Sequence, residues 1–556
     1  MKSPLSRITA LLLPDRSDLW IVAAYSVAIG LLTLALPVAS QSLINTVAFG
    51  TVLQPLIVLS LLLFAALVAA SALQGLRHWL VEVVQRRLFV RVTGEAGERL
   101  LKARSSFFDN VHGPELVNRF LDVAIVQKSI AVLLIDGLTI LMQTVAGLLL
   151  LAVYHPLLLL FDAVLFLMIV FILFGLGRGA VRTSIAESQA KYEVLAWLEE
   201  LARHRNTFRS TQGSSFAWTR TNTLAAGYVR ERESHFRVEL RQIIGSLVLQ
   251  AFALSALLGF GGYLVTKGQL TLGQLVAGEL VVGMVVSGFT KLNKSLESYY
   301  DLSAAVDEIG CIEEVPVEED LGRHSLQIGP AAALQFTGVE YHSGAGSALL
   351  RPTTLSLAAG ERVALQGASS DGRSTLLDIV AALRVPTGGL LEIDGQDYRD
   401  FSAKSLRTNI VLLRRVEIFA GSPSENVTLG AETDSRQLHA VLQQVGLHAA
   451  VAALPEGIHT RLSTGGAPLS RHHALRLMAA RALLMKPTVL LLDGILDAMD
   501  GLLPQDPLVR TLFAPDASWT ILLATDRSDL QDLCQRVYRL SAGVLSEVQA
   551  GPEHTQ

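Results

Sequence analysis

A long stretch without charged side chains limits most strongly what this chain can fold into. No Asp, Glu, Lys or Arg occurs between Leu19 and Leu76. A helix needs about 20 apolar residues to cross the hydrocarbon core of a bilayer, so the stretch can hold two spans and a turn. Hydrophobic residues make up 51% of the chain and charged residues only 17%. The sequence therefore predicts a large membrane-embedded portion, which excludes a soluble enzyme.

Further apolar segments follow this stretch and bring the predicted number of spans to six. They lie near Leu19–Ala39, Leu56–Leu76, Ser129–Tyr154, Pro156–Gly177, Gln242–Thr266 and Leu275–Thr290. The intervening segments 77–128 and 178–241 are long, polar and rich in arginine, and both fall on one side of the membrane. The positive-inside rule assigns that side to the cytoplasm, together with both termini. Apolar residues recur at helical spacing in both segments, which predicts helices that continue into the cytoplasm. Residues 1–18 are expected to lie as an amphipathic segment at the membrane surface.

Three carboxylates fall within or at the ends of the predicted spans, namely Asp136, Asp162 and Glu279. Charges inside a membrane are costly, so one interpretation is a substrate or proton pathway. The other, which we favour, is that they lie near span ends or pair between helices.

The pattern of apolar residues changes after a polar, acidic connector. Short β-branched runs such as "LQFTGVEY", "ERVALQG", "TVLLLD" and "TILLAT" alternate with helical stretches. This alternation predicts an α/β domain with a largely parallel sheet. We expect a membrane domain over residues 1–298, a linker over 299–330 and the α/β domain over 331–556.

Composition gives little reason to expect other partners or metals. The formal net charge of −4 does not indicate binding to nucleic acid. Two cysteines, Cys311 and Cys534, lie far apart and suggest neither a disulfide framework nor a zinc site.

The stretch "GASSDGRST" has the spacing of a phosphate-binding loop, G-x-x-x-x-G-K-[ST], except that Arg373 stands in the lysine position. The loop lies between a predicted strand and a predicted helix, the context in which backbone amides converge on a phosphate. Arginine keeps the charge but is planar and bulkier than lysine. The candidate nucleotide-binding residues in and around this loop are Gly367, Ser370, Asp371, Gly372, Arg373, Ser374 and Thr375. An alternative is that the loop keeps only a structural role in the fold.

A buried strand in "PTVLLLDGILDAMD" ends in Asp493. A carboxylate at this place contacts Mg²⁺, either with the loop hydroxyl or through water. The candidate metal ligands are therefore Ser374 and Asp493.

The chain resembles one half of an ABC exporter over nearly its whole length. The resemblance is carried by the motifs above, by "GQLTLGQLVA" before the sixth span, and by "FAGSPSENV" and "LPEGIHTRLSTGGAPLS" before the run "RALLMKPTVLLLD". It implies a multi-domain membrane protein: an all-α six-helix transmembrane domain followed by an α/β P-loop nucleotide-binding domain. The resemblance also implies a dimer in the lipid bilayer, ATP and Mg²⁺ as cofactors, and an unknown transported substrate.

The same resemblance identifies several positions at which this chain lacks the family's residue. Arg414 stands where the Q-loop glutamine belongs, Gly494 where a glutamate orients the attacking water, and Asp526 where the switch histidine belongs. In "LSRHH" the signature serine is kept as Ser470, but Arg471 and His472 replace both glycines, and His473 replaces the glutamine. Ser343 occupies the position of the adenine-stacking aromatic, and Tyr341 is its possible substitute. Asp526 and a phosphate both carry negative charge, so we expect them to repel each other unless Mg²⁺ or Arg414 intervenes.

Two functions fit this pattern of kept and lost residues. The first is an exporter subunit, paired with itself or a homologue in a bacterial inner membrane, that binds ATP but hydrolyses it poorly or not at all. The second is a non-transporting scaffold or regulator that retains the fold.

Overall fold

Two compact units make up the chain in a computed structural model, which describes residues 3–48, 53–109, 111–318, 322, 324–326, 329–343, 346–499 and 501–548. The first unit comprises Met1–Ala103 and Phe107–Val317, and the second comprises Arg104–Ser106 and Glu318–Gln556.

The regular secondary structure in the described part of the first unit is helical, apart from an isolated bridge between Ala103 and Val317. Its helices are α1 Pro4–Leu12, α2 Arg16–Thr33, α3 Ala35–Ala48, α4 Leu53–Leu101, α5 Gly113–Asn118, α6 Val123–Val132, α7 Leu138–Tyr154, α8 Pro156–Val170, α9 Ala180–Arg203, α10 Thr211–Thr266 and α11 Leu272–Glu313. Among the described residues, six helical segments are long and apolar enough to cross a membrane. They include all six predicted spans and extend well beyond them, as the helical spacing in the polar segments predicts.

The sixth of these segments, α11, runs past the expected boundary at residue 298 and ends at Glu313. The acidic residues of this stretch suggest a linker, but its apolar residues recur at helical spacing and are buried. Leu302, Ala305, Val306 and Ile309 join a hydrophobic cluster with residues of α4 and α6. This packing stabilises a helix where composition predicts a connector.

The N-terminal helix α1 packs against other helices of the first unit, and its expected place at the membrane surface stays a prediction. Ile8 and Leu11 belong to the same cluster as Val306 and Ile309. Arg7 is 5% exposed and forms a 2.5 Å ion pair with Glu314. The apolar face of this amphipathic helix is therefore covered by protein.

The second unit contains two sheets. Its strands are β1 Leu334–His342, β2 Ala348–Leu357, β3 Arg362–Gln366, β4 Gly388–Ile393, β5 Gln396–Asp397, β6 Ile410–Leu413, β7 Val489–Asp493, β8 Thr520–Ala524, β9 Arg536–Ser541 and β10 Val544–Glu547. One sheet has the order β10-β9-β3-β8-β7-β6 and is parallel except for the edge strand β10. The other sheet is antiparallel, in the order β2-β1-β4-β5, and the sequence did not predict it.

The helices of this unit are α12 Arg373–Val380, α13 Ala403–Asn409, α14 Pro423–Thr428, α15 Ser435–Gln444, α16 His448–Ala452, α17 Arg471–Leu484, α18 Pro507–Leu512 and α19 Ser528–Gln531. The expected α/β class is confirmed. In a parallel sheet the carboxyl ends of neighbouring strands share one edge, so the segments after β3, β7 and β8 lie close together.

Candidate functional site

The phosphate-type loop connects β3 to α12 and is shaped by two glycines. Gly367 has φ 137° and Gly372 has φ 99°, both in the region that favours glycine. A Cβ on Gly367 would overlap the carbonyl oxygen of Leu540, and one on Gly372 would overlap that of Leu349. The backbone therefore has the close approach and left-handed turns that this kind of loop needs.

Two amides of the loop donate hydrogen bonds to carboxylates of the chain itself. The Gly367 N–H donates to Asp526 Oδ1 at 3.1 Å, and the Ala368 N–H donates to Asp371 Oδ2 at 3.1 Å. A carboxylate thus accepts from each of these amides in the position where a phosphate oxygen is the usual acceptor.

Arg373 begins α12 and its side chain is 9% exposed. Its Nη1 forms an ion pair with Asp526 Oδ1 at 3.2 Å and donates to the carbonyl oxygen of Leu365 at 3.5 Å. The sequence predicted that Asp526 would repel a phosphate unless Mg²⁺ or Arg414 intervened. In the structure the partner is Arg373, so the substituted lysine and histidine positions neutralise each other.

Arg414 follows β6 and lies among buried acidic groups. Its Nε contacts Asp493 Oδ2, and its Nη2 lies 2.9 Å from Asp378 Oδ1 and donates to the Ser374 carbonyl oxygen at 3.0 Å. The carboxylate side chains of Asp493 and Asp378 are 10% and 9% exposed. The guanidinium therefore bridges the end of β7 and helix α12.

The sequence analysis missed Asp378 and Arg384. Asp378 lies on α12 one turn after Ser374, a spacing that places both on one helix face and could have drawn attention to it. Arg384 Nε donates to Asp378 Oδ2 at 2.9 Å, and its Nη1 donates to the Tyr341 hydroxyl at 3.2 Å. Its guanidinium lies 5.6 Å from the centroid of the Tyr341 ring. An adenine ring that stacked on Tyr341 would have to displace Arg384 from that face.

The position of the water-orienting glutamate is occupied by a residue with no side chain and an unusual backbone. Gly494 has φ 65°, and its N–H donates to the Ala524 carbonyl oxygen at 3.1 Å. A side chain here would need a left-handed backbone, which is strained for residues other than glycine. Ser370 is exposed, and Ser374 and Thr375 are half-buried at the start of α12. Asp500, which the resemblance matches to the aspartate kept in the family's D-loop, lies outside the described residues.

The signature-like segment begins helix α17. The Ser470 hydroxyl caps the helix by accepting from the His473 N–H at 3.2 Å, and Arg471 is exposed. The serine is therefore used in the local helix cap, and the two residues after it carry large side chains where the family has glycines.

The side chains at the predicted metal position do not fit Mg²⁺ in this arrangement. Mg²⁺ requires near-octahedral oxygen ligands at about 2.0–2.1 Å. The Asp493 carboxylate already contacts the Arg414 guanidinium, and the Ser374 carbonyl accepts from the same group. Within the described ranges, no group of three or more His, Cys, Asp or Glu side chains could hold a metal ion.

The membrane carboxylates differ from one another in their surroundings. Asp136 is half-buried in a π-helical turn and interacts electrostatically with the buried Arg77. Asp162 is 5% exposed in the second turn of α8, and its oxygens have no hydrogen-bond partner among the described residues. Glu279 is exposed on α11. Asp136 therefore has an oppositely charged neighbour, and the interpretations of Asp162 and Glu279 stay predictions.

These features define a class: a six-helix membrane domain joined to an α/β domain with a phosphate-type loop. Comparison with known proteins agrees with this class. The ABC transporter transmembrane region model matches residues 19–201, and the ABC transporter model matches residues 350–496. The chain belongs to the ABC transporters. It is an integral, multi-pass protein of the exporter type with an ATP-binding domain.

Individual relatives agree with this assignment. A lactococcin transport/processing ATP-binding protein LcnC-like of Lactococcus lactis is 23% identical over 91% of this chain and 71% of its own length. The alpha-hemolysin translocation ATP-binding protein HlyB of Escherichia coli O157:H7 is 25% identical over 63% of this chain and 50% of its own length. A solved bacterial Atm1-family ABC exporter with ATP bound shares the fold, with a TM-score of 0.80, 20% identity, and coverage of 97% of this chain and 95% of the other.

Proposed function

We propose that this chain is one subunit of a dimeric exporter in which its own domain binds ATP but hydrolyses it very slowly or not at all. The observation that carries the proposal is the contact between Arg414 and Asp493, next to Gly494. The carboxylate expected to act on Mg²⁺ is neutralised by a guanidinium, and the following residue has no group to orient water. Loss of one catalytic acid–base group lowers rates by about 10²–10⁴-fold.

Pairing with a competent homologue does not restore a standard site. The resemblance implies composite sites, each built from the loop of one subunit and the signature of the other. This chain departs from the family in both parts, since Arg373 and Gly494 belong to the first and Arg471 belongs to the second. Both sites of a dimer therefore contain at least one altered half.

The ATP-binding residues of the proposal are Gly367, Ser370, Asp371, Gly372, Arg373, Ser374 and Thr375 of the loop, Tyr341 of β1, and Ser470 of the signature, which serves the composite site formed with the loop of the other subunit. Arg373 and the loop amides supply the positive potential, although Asp526 and Asp371 must yield some of those amides to a phosphate. We place the nucleotide-binding domain in the cytoplasm, below a bacterial inner membrane, since the arginine-rich segments follow the positive-inside rule. The names of relatives include alpha-hemolysin translocation, multidrug efflux and lipid A-core flippase, so the proposal names no single substrate class.

Affinity purification from native membranes tests the proposal most directly. A second copy or a homologous ABC subunit is expected to co-purify, and the complex is expected to bind ATP. Phosphate release from the complex should be unaffected by Asp493→Ala in this chain. A rate that falls with this substitution would contradict the proposal.

A non-transporting scaffold is the second candidate, and the internal pairing of the loop carboxylates favours it. In this case the function of the chain does not use a nucleotide. Thermal unfolding of the purified chain then shows no change on addition of ATP, with or without Mg²⁺, whereas the exporter proposal predicts stabilisation.

A further inference from the structure

The Arg414 guanidinium contacts the Asp493 carboxylate, one of the two expected Mg²⁺ ligands, and the backbone carbonyl of Ser374, whose hydroxyl is the other. It also contacts an acidic side chain of α12. We infer that Arg414 is a permanent replacement for Mg²⁺, so that this domain binds ATP without a metal. This inference rests on the proposed ATP binding.

The local charges already balance without a divalent cation. Asp378 and Asp493 are the two nearly buried carboxylates, and Arg384 and Arg414 are the two guanidiniums that pair with them. A Mg²⁺ ion at the same place would add two positive charges beside Arg414. It would also need the Asp493 oxygens free of their hydrogen-bond donor.

Arginine is suited to this replacement because its charge does not depend on pH in the physiological range and its donors are held in a plane. A guanidinium can contact a carboxylate on one edge and keep other N–H groups for a phosphate oxygen. The Arg414 side chain is 32% exposed, so part of it remains accessible from the site. Its attachment to the backbone makes the cation a fixed part of the protein.

The test measures binding of trinitrophenyl-ATP, displaced by ATP, to the full chain in lipid nanodiscs. For the wild-type protein the Kd with Mg²⁺ and the Kd with EDTA are expected to agree within about threefold. Arg414→Gln should weaken binding in EDTA by about tenfold or more, and Mg²⁺ should restore part of it, since a charge-assisted contact is lost and the carboxylates are released. The matched control is Arg415→Gln, because this exposed neighbour pairs only locally with Glu417 in the structure.

The outcomes separate this inference from the proposed function. Binding by the wild-type protein that falls by more than tenfold in EDTA overturns the metal replacement and leaves the proposed ATP binding intact. An Arg414→Gln variant with no gain from Mg²⁺ also overturns it. Absence of binding in every condition refutes the proposed ATP binding instead.

A second measurement tests the replacement of Mg²⁺ by Arg414 without any nucleotide. Mg²⁺ alone should raise the unfolding temperature of Arg414→Gln, by about 3–6 °C at tenfold excess over its Kd, because the released carboxylates gain a cation. The wild-type protein and Arg415→Gln should not respond. A response of the wild-type protein equal to that of Arg414→Gln overturns the inference.

Discussion

Replacement of Arg414 by glutamine should destabilise the nucleotide-binding domain, because it removes a positive charge from between two nearly buried carboxylates. Asp493 and Asp378 side chains are 10% and 9% exposed. Removal of one partner of a buried pair costs about 3–5 kcal/mol. Arg414 itself is 32% exposed, so water screens part of the interaction and the expected loss is about 2–3 kcal/mol. Asp378 also retains Arg384, which supports the lower figure.

The size of the temperature shift follows from the size of the domain. A loss of 1 kcal/mol in the free energy of unfolding lowers the unfolding temperature by about 2–4 °C for a domain of 150–250 residues. The unfolding temperature of Arg414→Gln should therefore lie about 4–12 °C below that of the wild-type protein. The assay is thermal unfolding of the full chain in nanodiscs, followed by the fluorescence of Trp519 in a background whose other four tryptophans are replaced by phenylalanine. Asp493→Asn in the same chain should recover about 1–2 kcal/mol, since it removes the charge left without its partner. A stability of Arg414→Gln equal to that of the wild-type protein, or additive effects of the two substitutions, would refute the reasoning.

Three further predictions concern the loop, acid stability and thiol reactivity. Gly372→Ala should lower the free energy of unfolding much more than Gly395→Ala. Both glycines have positive φ, but of the two only Gly372 has backbone atoms of another segment within 4 Å of an added Cβ. Thermal unfolding compares the two variants, and equal losses of stability would contradict this prediction. Burial disfavours the charged form of Glu361, but hydrogen bonds from Arg536 and a backbone amide outweigh it and hold its pKa below the usual value. This stabilisation is complete above the pKa of Glu361 in the unfolded chain and is lost as pH falls through its pKa in the folded protein. Arg536→Gln should therefore weaken the fall of the unfolding free energy with decreasing pH. An unchanged dependence of stability on acidic pH would contradict this role of Arg536. Burial raises the pKa of the Cys534 thiol to about 12, so iodoacetamide at pH 8 should label it only after unfolding, and rapid labelling of the folded protein would contradict this.

The sequence predicted the elements of the second unit well where hydrophobic pattern alone decides them. "TVLLLD" and "TILLAT" form the interior strands β7 and β8 of the parallel sheet. Buried parallel strands and amphipathic helices have strong local patterns. The hydrophobic pattern did not predict the part of α11 beyond residue 298, because acidic residues on the surface of this helix obscured its buried face.

Partners within the site could not be predicted, because they depend on which chain segments the sheet brings together. Strand β3 lies beside β8, so the loop after Gln366 meets Asp526 at a shared edge. The strand order therefore makes Arg373 a neighbour of Asp526 and leaves Arg414 to contact Asp493 at the end of β7. Sequence spacing predicted which positions are substituted, and these assignments stay predictions; it could not show that the two arginines neutralise carboxylates of the same domain.

The central claim is that this domain turns over ATP very slowly or not at all, since the carboxylate expected to act on Mg²⁺ is held by Arg414 and Gly494 has no group to orient water. Phosphate release by the purified chain in lipid tests it against the Arg373→Ala, Asp493→Ala double variant prepared in the same way. The account predicts equal rates for the two proteins, at the background of the preparation. A wild-type rate clearly above that of the double variant would contradict it.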